Sequence, residues 1–402
     1  MTPLALSGTA VPDVSAQKLR DLNLFRIGGT VLSFAVDSSG SVGWLADDRF
    51  PCPPHRSGGF MVKVVLTETL CAGFDPVAVY LDVCYAPPPQ FDAFLAGIRD
   101  ELRSAHVSPD LLFASCGDHP EPRTSACGIT VVGALRPGHL RPGRSRPGDL
   151  VYAVGLPFEK DEPLRNTTTE EIVRILSLPY VHEVLPCGSH GIRYEAESLA
   201  ATSGLRFHEV KGTALTDQAL HSCGASAVVL VTMAPEHGPS FQQLDIPRAI
   251  GLFGSLSGSA PPTDGHEEAG PPEVSLAPNG DILVEGRWVL SSETAFSYAW
   301  GQQPADRPGR ADELAVGAMA RALEALRAGG CDPILVVDDL NFPMERHGRE
   351  CIQAAGRFLR ETYGLDPATQ FTGSTEDNFQ ALHSGIAIRA FGVRSSSLPA
   401  RR

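Results

Sequence analysis

The chain repeats itself, and the repeat limits what it can fold into more than any other feature. The run Gly73-Phe74-Asp75-Pro76-Val77-Ala78-Val79-Tyr80-Leu81-Asp82 returns 257 residues later as Gly330-Cys331-Asp332-Pro333-Ile334-Leu335-Val336-Val337-Asp338-Asp339. Gly, Asp, Pro, Val and Asp recur in register; at the same offset Leu66 falls on Leu323 and Leu102-Arg103 on Leu359-Arg360. One residue further on, Phe113 matches Phe371, and each opens a small-residue, acidic stretch: Ser115-Cys116-Gly117-Asp118 and Gly373-Ser374-Thr375-Glu376-Asp377. Gly128-Ile129 and Gly385-Ile386 then begin apolar strands, and upstream Val31–Val36 resembles Ala295–Trp300. The shared order of these matches points to an ancient duplication.

Both copies read alike: a β-rich segment, a helix (Met61–Ala72; Leu314–Ala328), a strand after Asp-Pro, a second helix and a closing strand. The second helices, Phe91–Ser104 and Arg349–Thr362, carry apolar residues at i, i+3, i+4 and i+7. Gly73 and Gly330 stand where a helix end needs a left-handed residue. Between the copies, a connector rich in Pro, Gly and Arg (Arg136 to Arg146) leads to a strand at Leu150–Leu156 and a helix at Thr168–Leu176. A helix at Ile192–Ser203 and a buried strand at Ala225–Met233 follow, then the Ser/Gly/Pro and acidic stretch Gly254–Pro272. The expected class is α/β (α+β). Its order is a first A domain (1–147), a B domain (148–253), a linker (254–283) and a second, degenerate A-like domain (284–402).

Composition narrows the functional classes. A hydrophobic fraction of 43% with 20% charged residues is that of a globular chain. A net charge of −14 disfavours nucleic acid as a partner, because phosphate backbones need a basic surface. A single nucleotide needs only a local site. Apolar runs such as Ala225–Val231 are too short to span a bilayer, and Met1 to Val14 lacks the basic start and apolar stretch of a secretory signal. No membrane partner and a cytoplasmic location are therefore expected. The nine cysteines form no C-x-x-C pair, so buried reduced thiols are favoured over a zinc ribbon.

The runs Gly128-Ile129-Thr130-Val131-Val132-Gly133 and Arg146-Pro147-Gly148-Asp149-Leu150-Val151-Tyr152-Ala153-Val154-Gly155 resemble the join between the two domains of aminoimidazole-ribonucleotide-synthetase-like proteins. Three segments point towards the α-ribazole-kinase-like branch: Val36–Gly43, Tyr180–Gly191 and Thr372–Asn378. The resemblance covers about nine tenths of the chain. It implies ATP with Mg2+, activation of an oxygen by phosphorylation, and A domains paired in a barrel with nucleotide sites at the interface. With both A domains in one chain, the pairing is expected to be internal, in a monomer with an internal pseudo-dimer or a homodimer.

Asp37 ends an apolar strand ahead of a Ser/Gly turn, which places a carboxylate beside amides that can approach a phosphate. The resemblance implies a metal role for Asp37, with Ser38, Ser39 and Gly40 on phosphate. It implies the same metal role for Asp118 after Gly117, and for Glu68, whose rival reading is an exposed helix residue. Lys63 either neutralises phosphate or lies on a solvated face, the second being favoured. In the second copy Gly301 and Ala325 fall where Asp37 and Glu68 stand, so one site is expected intact and the other degenerate. The surviving Thr375, Glu376, Asp377 and Asn378 are then expected to line the composite pocket or bind a second nucleotide. In the B domain, Gly188, Ser189 and His190 form a helix start suited to an anion, and are expected to face the acceptor. His190 is also a candidate acid–base group, as is His182, though a positional role is favoured for each.

The expected activity is phosphoryl transfer from ATP to a small, nucleoside-like acceptor, which needs positioning and charge neutralisation above all. An ATP-dependent ligase or cyclase activating an amide or carbonyl oxygen is the second reading. A non-catalytic nucleotide-binding protein is the third.

Overall fold

In the computed structural model, the described residues are 7–84, 88–116, 124–157, 166–246, 249–259, 272–298, 310–341, 348–375 and 385–394. The first lobe contains β1 (Ser7–Gly8), β2 (Val14–Leu19), β3 (Leu22–Ile27), β4 (Thr30–Gly40), β5 (Val42–Gly43) and β6 (Phe50–Pro51). Then come α1 (Pro54–Cys71), β7 (Phe74–Val83), α2 (Pro88–Ser104), β8 (Leu112–Cys116) and β9 (Ala126–Leu135). The middle unit has β10 (Leu150–Val154), α3 (Thr169–Leu176), β11 (Val181–Pro186), α4 (Gly191–Thr202) and β12 (Arg206–Glu209). It ends with α5 (Ala214–Asp217), β13 (Val229–Met233), α6 (Gly238–Gln242) and β14 (Ile250–Ser257). The last lobe comprises β15 (Val274–Leu276), β16 (Ile282–Val284), β17 (Arg287–Tyr298), α7 (Ala311–Ala328) and β18 (Cys331–Asn341). Helices α8 (Arg349–Phe358) and α9 (Pro367–Gln370) and strands β19 (Phe371–Thr375) and β20 (Gly385–Arg394) complete it.

Sheet order establishes the kinship of the outer lobes. The first sheet runs β1-β2-β3-β4-β9-β7-β8 and the last β15-β16-β17-β20-β18-β19, which is the same path without β1. A β-bulge between Pro76 and Ala78 on β7 recurs between Pro333 and Leu335 on β18. Gly73 and Gly330 follow their helices at φ of 93° and 74°. A Cβ on Gly73 would lie 1.8 Å from the His139 carbonyl oxygen, so only glycine fits that turn.

The ladders also correct the alignment read from sequence. Asp82 pairs with Gly128, and Asp339 pairs with Ala387, so the counterpart of Gly128 is Ala387 and not Gly385. Val79 pairs with Leu112, and Val336 with Phe371, so Phe371 corresponds to Leu112 and not Phe113. Two extra residues before the second edge strand move both later strands to an offset of 259. Leu32 faces Ala134 while Val289 faces Val393, so Val31–Val36 corresponds to residues 288–293, ahead of the expected Ala295–Trp300. Asp37, facing Ile129, then corresponds to Thr294, which faces Ile388; Gly301 lies outside the described residues.

Alternation along the strands produces two apolar faces per sheet. Val31, Ala35, Val79, Leu81, Ile129 and Val131 pack against α1 and α2 through Val62, Val65, Leu66, Ile98 and Leu102. Val336, Ile388 and Ala390 pack likewise against Met319, Ala322 and Leu323 of α7. The opposite faces meet each other: Phe25, Leu32, Phe34, Tyr80 and Val132 share one core with Ile282, Val289, Leu335, Val337 and Phe391. Phe391 lies 4.9 Å from Phe34 and 5.5 Å from Tyr80, ring centre to ring centre. The lobes are thus joined by a true hydrophobic core. Among the described residues their sheets remain separate ladders and do not close into one barrel.

The middle unit is an antiparallel sheet, β11-β13-β10-β14-β12. Helix α4 packs on one face, and α3 and α6 on the other. Thr168 and Glu171 form a reciprocal capping box at the start of α3. Arg20, at the tip of the β2–β3 hairpin, pairs with the fully buried Glu183 of β11 and ties the first lobe to this unit. Strand β14 runs to Ser257, β15 falls within 254–283 and β16 begins there, so the stretch expected as linker is partly strand. Helix α1 starts at Pro54, seven residues ahead of the expected Met61, because proline is well suited to a first helical turn. No described helix is long and apolar enough to cross a membrane.

Candidate active site

Strand β4 runs on to Gly40, beyond the turn expected after Asp37. Past Phe34 it loses its β3 neighbour, whose pairing ends at Asn23. The edge strand β19 of the last lobe packs beside this stretch, and the Ser374 hydroxyl donates to Asp37 Oδ1 at 3.0 Å. The Ser38 amide donates to the same oxygen at 2.9 Å. The same seam holds Lys18, whose Nζ donates to Thr372 Oγ1 at 3.0 Å and Asn23 Oδ1 at 2.9 Å. Asn23 Nδ2 in turn donates to the Thr369 carbonyl at 2.9 Å.

By alternation with Val31 and Ala35, Asp37 belongs to the face covered by α1. Glu68 of α1 is close enough to act on it electrostatically. Burial pushes the Asp37 carboxyl up to about 6, against its two hydrogen bonds. Burial also raises Glu68 well above the usual range, helped by Asp21 and Asp37 and opposed by Lys18. Glu195 of α4, only 5% exposed, is pushed up to about 7 by burial and by Asp21. Asp338 of β18 belongs instead to the α7-covered face that it shares with Val336 and Leu340, where burial raises it to about 7. The first lobe and the middle unit therefore crowd Asp21, Asp37, Glu68 and Glu195 into one another's field, with Lys18 among them. Such perturbed acids concentrate at functional sites.

Divalent magnesium suits hard oxygen donors, and Glu68 Oε2 is buried with no hydrogen-bond partner among the described residues. Asp37 and Glu68 thus fit a cation ligand role. Among the described residues no three His, Cys, Asp or Glu side chains converge on one point. The expected third acid, Asp118, lies with Gly117 outside the described residues, as do Glu376, Asp377 and Asn378. Thr375 ends β19 one residue beyond Ser374.

Other expectations need revision. Ser38, Ser39 and Gly40 continue the ladder against Gly128, Cys127 and Ala126, and the Ser38 amide is already held by Asp37, so they form no open phosphate turn. Lys63 is buried, not solvated: its Nζ donates to the Thr167 carbonyl. In the Gly188–Gly191 loop, the Gly188 amide is held by the Glu195 carboxyl, so an internal acceptor already occupies part of the expected anion site. Ser189 and His190 are exposed, and the His190 ring lies 4.6 Å from that of Tyr194 without capping α4. His182 Nδ1 meets Asp149 Oδ2 at 2.7 Å, a positional role. Sequence reasoning missed Lys18, Asp21, Glu195 and the function of Ser374. The acidic tip of a Leu-Arg-Asp-Leu hairpin was the available signal for Asp21.

No protein-family model matches the chain. No curated protein is similar to it in sequence. Solved structures do match over nearly its whole length. Thermotoga maritima PurL complexed with ATP has a TM-score of 0.57 at 12% identity, covering 97% of this chain and 75% of that one. The same protein complexed with FGAR has a TM-score of 0.58 at 11% identity, covering 99% and 77%. Thiamine-monophosphate kinase from Stenotrophomonas maltophilia K279a matches at a TM-score of 0.44 and 15% identity, over 62% of this chain and 91% of that one.

Proposed function

From a chain with the fold of the aminoimidazole-ribonucleotide-synthetase-like proteins, we propose an enzyme that binds ATP at the seam of its lobes and phosphorylates an oxygen of a small acceptor. The observation that carries this reading is the pairing of Asp37 with Glu68 where Ser374 of the last lobe closes on the first. Structures of the same fold are described as complexed with ATP, AMPPCP and ADP. Magnesium, when bound, would supply the positive charge that offsets the triphosphate. Asp37 and Glu68 would hold it, with Asp118 as the expected third ligand. Ser374 orients the Asp37 carboxylate, and the Lys18 ammonium, whose three N–H groups are held by the Asp21 carbonyl, Asn23 and Thr372, would add positive charge near the phosphates at the same seam. The middle unit closes the site through Glu195 and the Gly188–His190 loop, where the acceptor would lie.

The first reading of the reaction is a kinase acting on a nucleoside-like alcohol of the α-ribazole kind. The A–B–A order favours a second. The matched Thermotoga maritima structure described as phosphoribosylformylglycinamidine synthase II covers 99% of this chain, which supports an ATP-dependent ligase activating an amide or carbonyl oxygen. The working unit in either case is one cytoplasmic chain with an internal pseudo-dimer.

A screen of candidate acceptors with Mg-ATP, following ADP release and product mass, tests these readings. A phosphorylated acceptor supports the kinase, and an aminated or cyclised product the ligase. ATP binding without turnover would identify a nucleotide-binding protein that has lost its chemistry. Unchanged ATP affinity after both Asp37→Ala and Glu68→Ala would overturn the site itself.

A further inference from the structure

Two segments of the middle unit that meet beneath the Gly188–Gly191 loop each carry one thiol. Cys187 follows β11, and its amide donates to the Val228 carbonyl at 2.9 Å, just beyond the β11–β13 ladder. Cys223 lies in the irregular segment between α5 and β13, and its amide donates to the Gly188 carbonyl at 3.1 Å. On the other side of the loop, the Arg193 amide donates to the Ala219 carbonyl at 3.1 Å. Gly191 turns there at a φ of 84°, and a Cβ on it would lie 2.7 Å from the same Ala219 oxygen. The loop therefore rests on residues 219–223 through backbone contacts.

Both thiols enter the core beneath α4, and neither is in a disulfide. They meet there, sharing a hydrogen bond between their side chains. Burial pushes the Cys187 thiol well above its ordinary value, so it stays a thiol while its cover is closed. That cover is thin on one side. Leu220, His221 and Gly224 are exposed around Cys223, whose Sγ also donates to the His221 carbonyl of its own segment at 3.8 Å. An irregular segment of this kind opens locally at lower cost than the sheet beside it.

We infer that Cys187 and Cys223 form a modification site, which a peroxide-class oxidant closes into a disulfide that staples the Gly188–Gly191 loop to residues 219–223. When the outer segment opens, the Cys223 thiolate attacks one peroxide oxygen and the O–O bond breaks. A sulfenic acid forms, and the other oxygen leaves as hydroxide, which takes the thiol proton to become water. The Cys187 sulfur then displaces the sulfenic hydroxyl, which leaves as a second water with the Cys187 proton. Each sulfur gives up one electron and the peroxide takes both. A small dithiol reverses the step. Thiols already in contact need little backbone movement to reach disulfide geometry. Any effect of the staple on turnover rests on the proposed place of the acceptor at this loop; the modification itself does not.

The test uses the full, reduced chain without nucleotide, with hydrogen peroxide as the probe. After alkylation of the remaining thiols, peptide mass analysis should find Cys187 joined to Cys223, with two hydrogens lost and the link removed by dithiothreitol. Cys187→Ser and Cys223→Ala should each abolish that link. Amide hydrogen exchange at Ser189 to Gly191 should slow about tenfold in the oxidised parent and recover on reduction, while exchange in β4 stays unchanged. Asp37→Ala should form the link as the parent does, so failure of the proposed ATP site is distinguishable from failure here. Absence of the Cys187–Cys223 peptide from the oxidised parent overturns the inference, as does unchanged exchange in the loop once that peptide has formed.

Discussion

The two outer lobes share a path through space but differ in chemistry. The first lobe has Asp37 on β4 and Glu68 on α1; the last has Thr294 and Ala325 at the same places. On the inner face the imbalance reverses: the last lobe supplies Arg389, which pairs with the buried Asp82, where the first has Thr130. The bulge, the helix-ending glycines and the apolar alternation persist in both. Packing is constrained at every contact of a shared core, whereas a ligand-binding acid is constrained only where a ligand sits. Once one chain held both halves, each side could change alone.

The largest expected effect lies on the inner face. Arg389→Ala leaves Asp82 buried without its cation and should cost about 3–5 kcal/mol in urea unfolding, whereas Thr130→Ala should cost about 1 kcal/mol. Equal losses would erase the asymmetry. Next, Asp37→Ala should lower ATP turnover about a hundredfold by removing transition-state charge stabilisation, while Thr294→Ala leaves it within about twofold. The paired glycines give a smaller effect. Gly330→Ala meets an unfavourable left-handed conformation, costing about 1 kcal/mol, and Gly73→Ala meets the same conformation and the His139 carbonyl, so both should lower the unfolding midpoint.

The gentlest contrast is with pH. Folding raises Asp37 from 3.8 to about 6 and Glu195 from 4.5 to about 7, so the folded chain holds protons that the unfolded chain has released. Their contribution to stability is fully present below the ordinary carboxyl values and is lost as pH rises towards 7. Asp37→Asn and Glu195→Gln should each flatten that decline in unligated protein, measured by unfolding at fixed ionic strength. An unchanged pH profile would place these carboxyls in water.

Much of this was legible in the sequence because repetition and periodicity are local. The strand after Asp-Pro, the helices beside it and the two glycines are visible from spacing alone. Register was harder. Gly128-Ile129 and Gly385-Ile386 look alike, yet a Gly-Ile pair does not report which residue faces it across a ladder, and the true offset is two residues larger. The site was half legible for a similar reason. Asp37 and Glu68 stand on elements that can be recognised singly, but Ser374, Asp21 and Glu195 reach them through folding of distant segments. Arg389 carried one unused signal: a lone guanidinium in the apolar run Ile386-Ala387-Ile388-Arg389-Ala390-Phe391 needs a buried partner.

Fusing the two halves through the middle unit has a kinetic consequence. When such a site is assembled from separate subunits, dilution can empty it by dissociation. Here the strand bearing Ser374 is tethered to the strand bearing Asp37, so its local abundance is set by the connecting polypeptide and not by the amount of protein in solution. Specific activity should therefore stay constant down to the lowest measurable enzyme level.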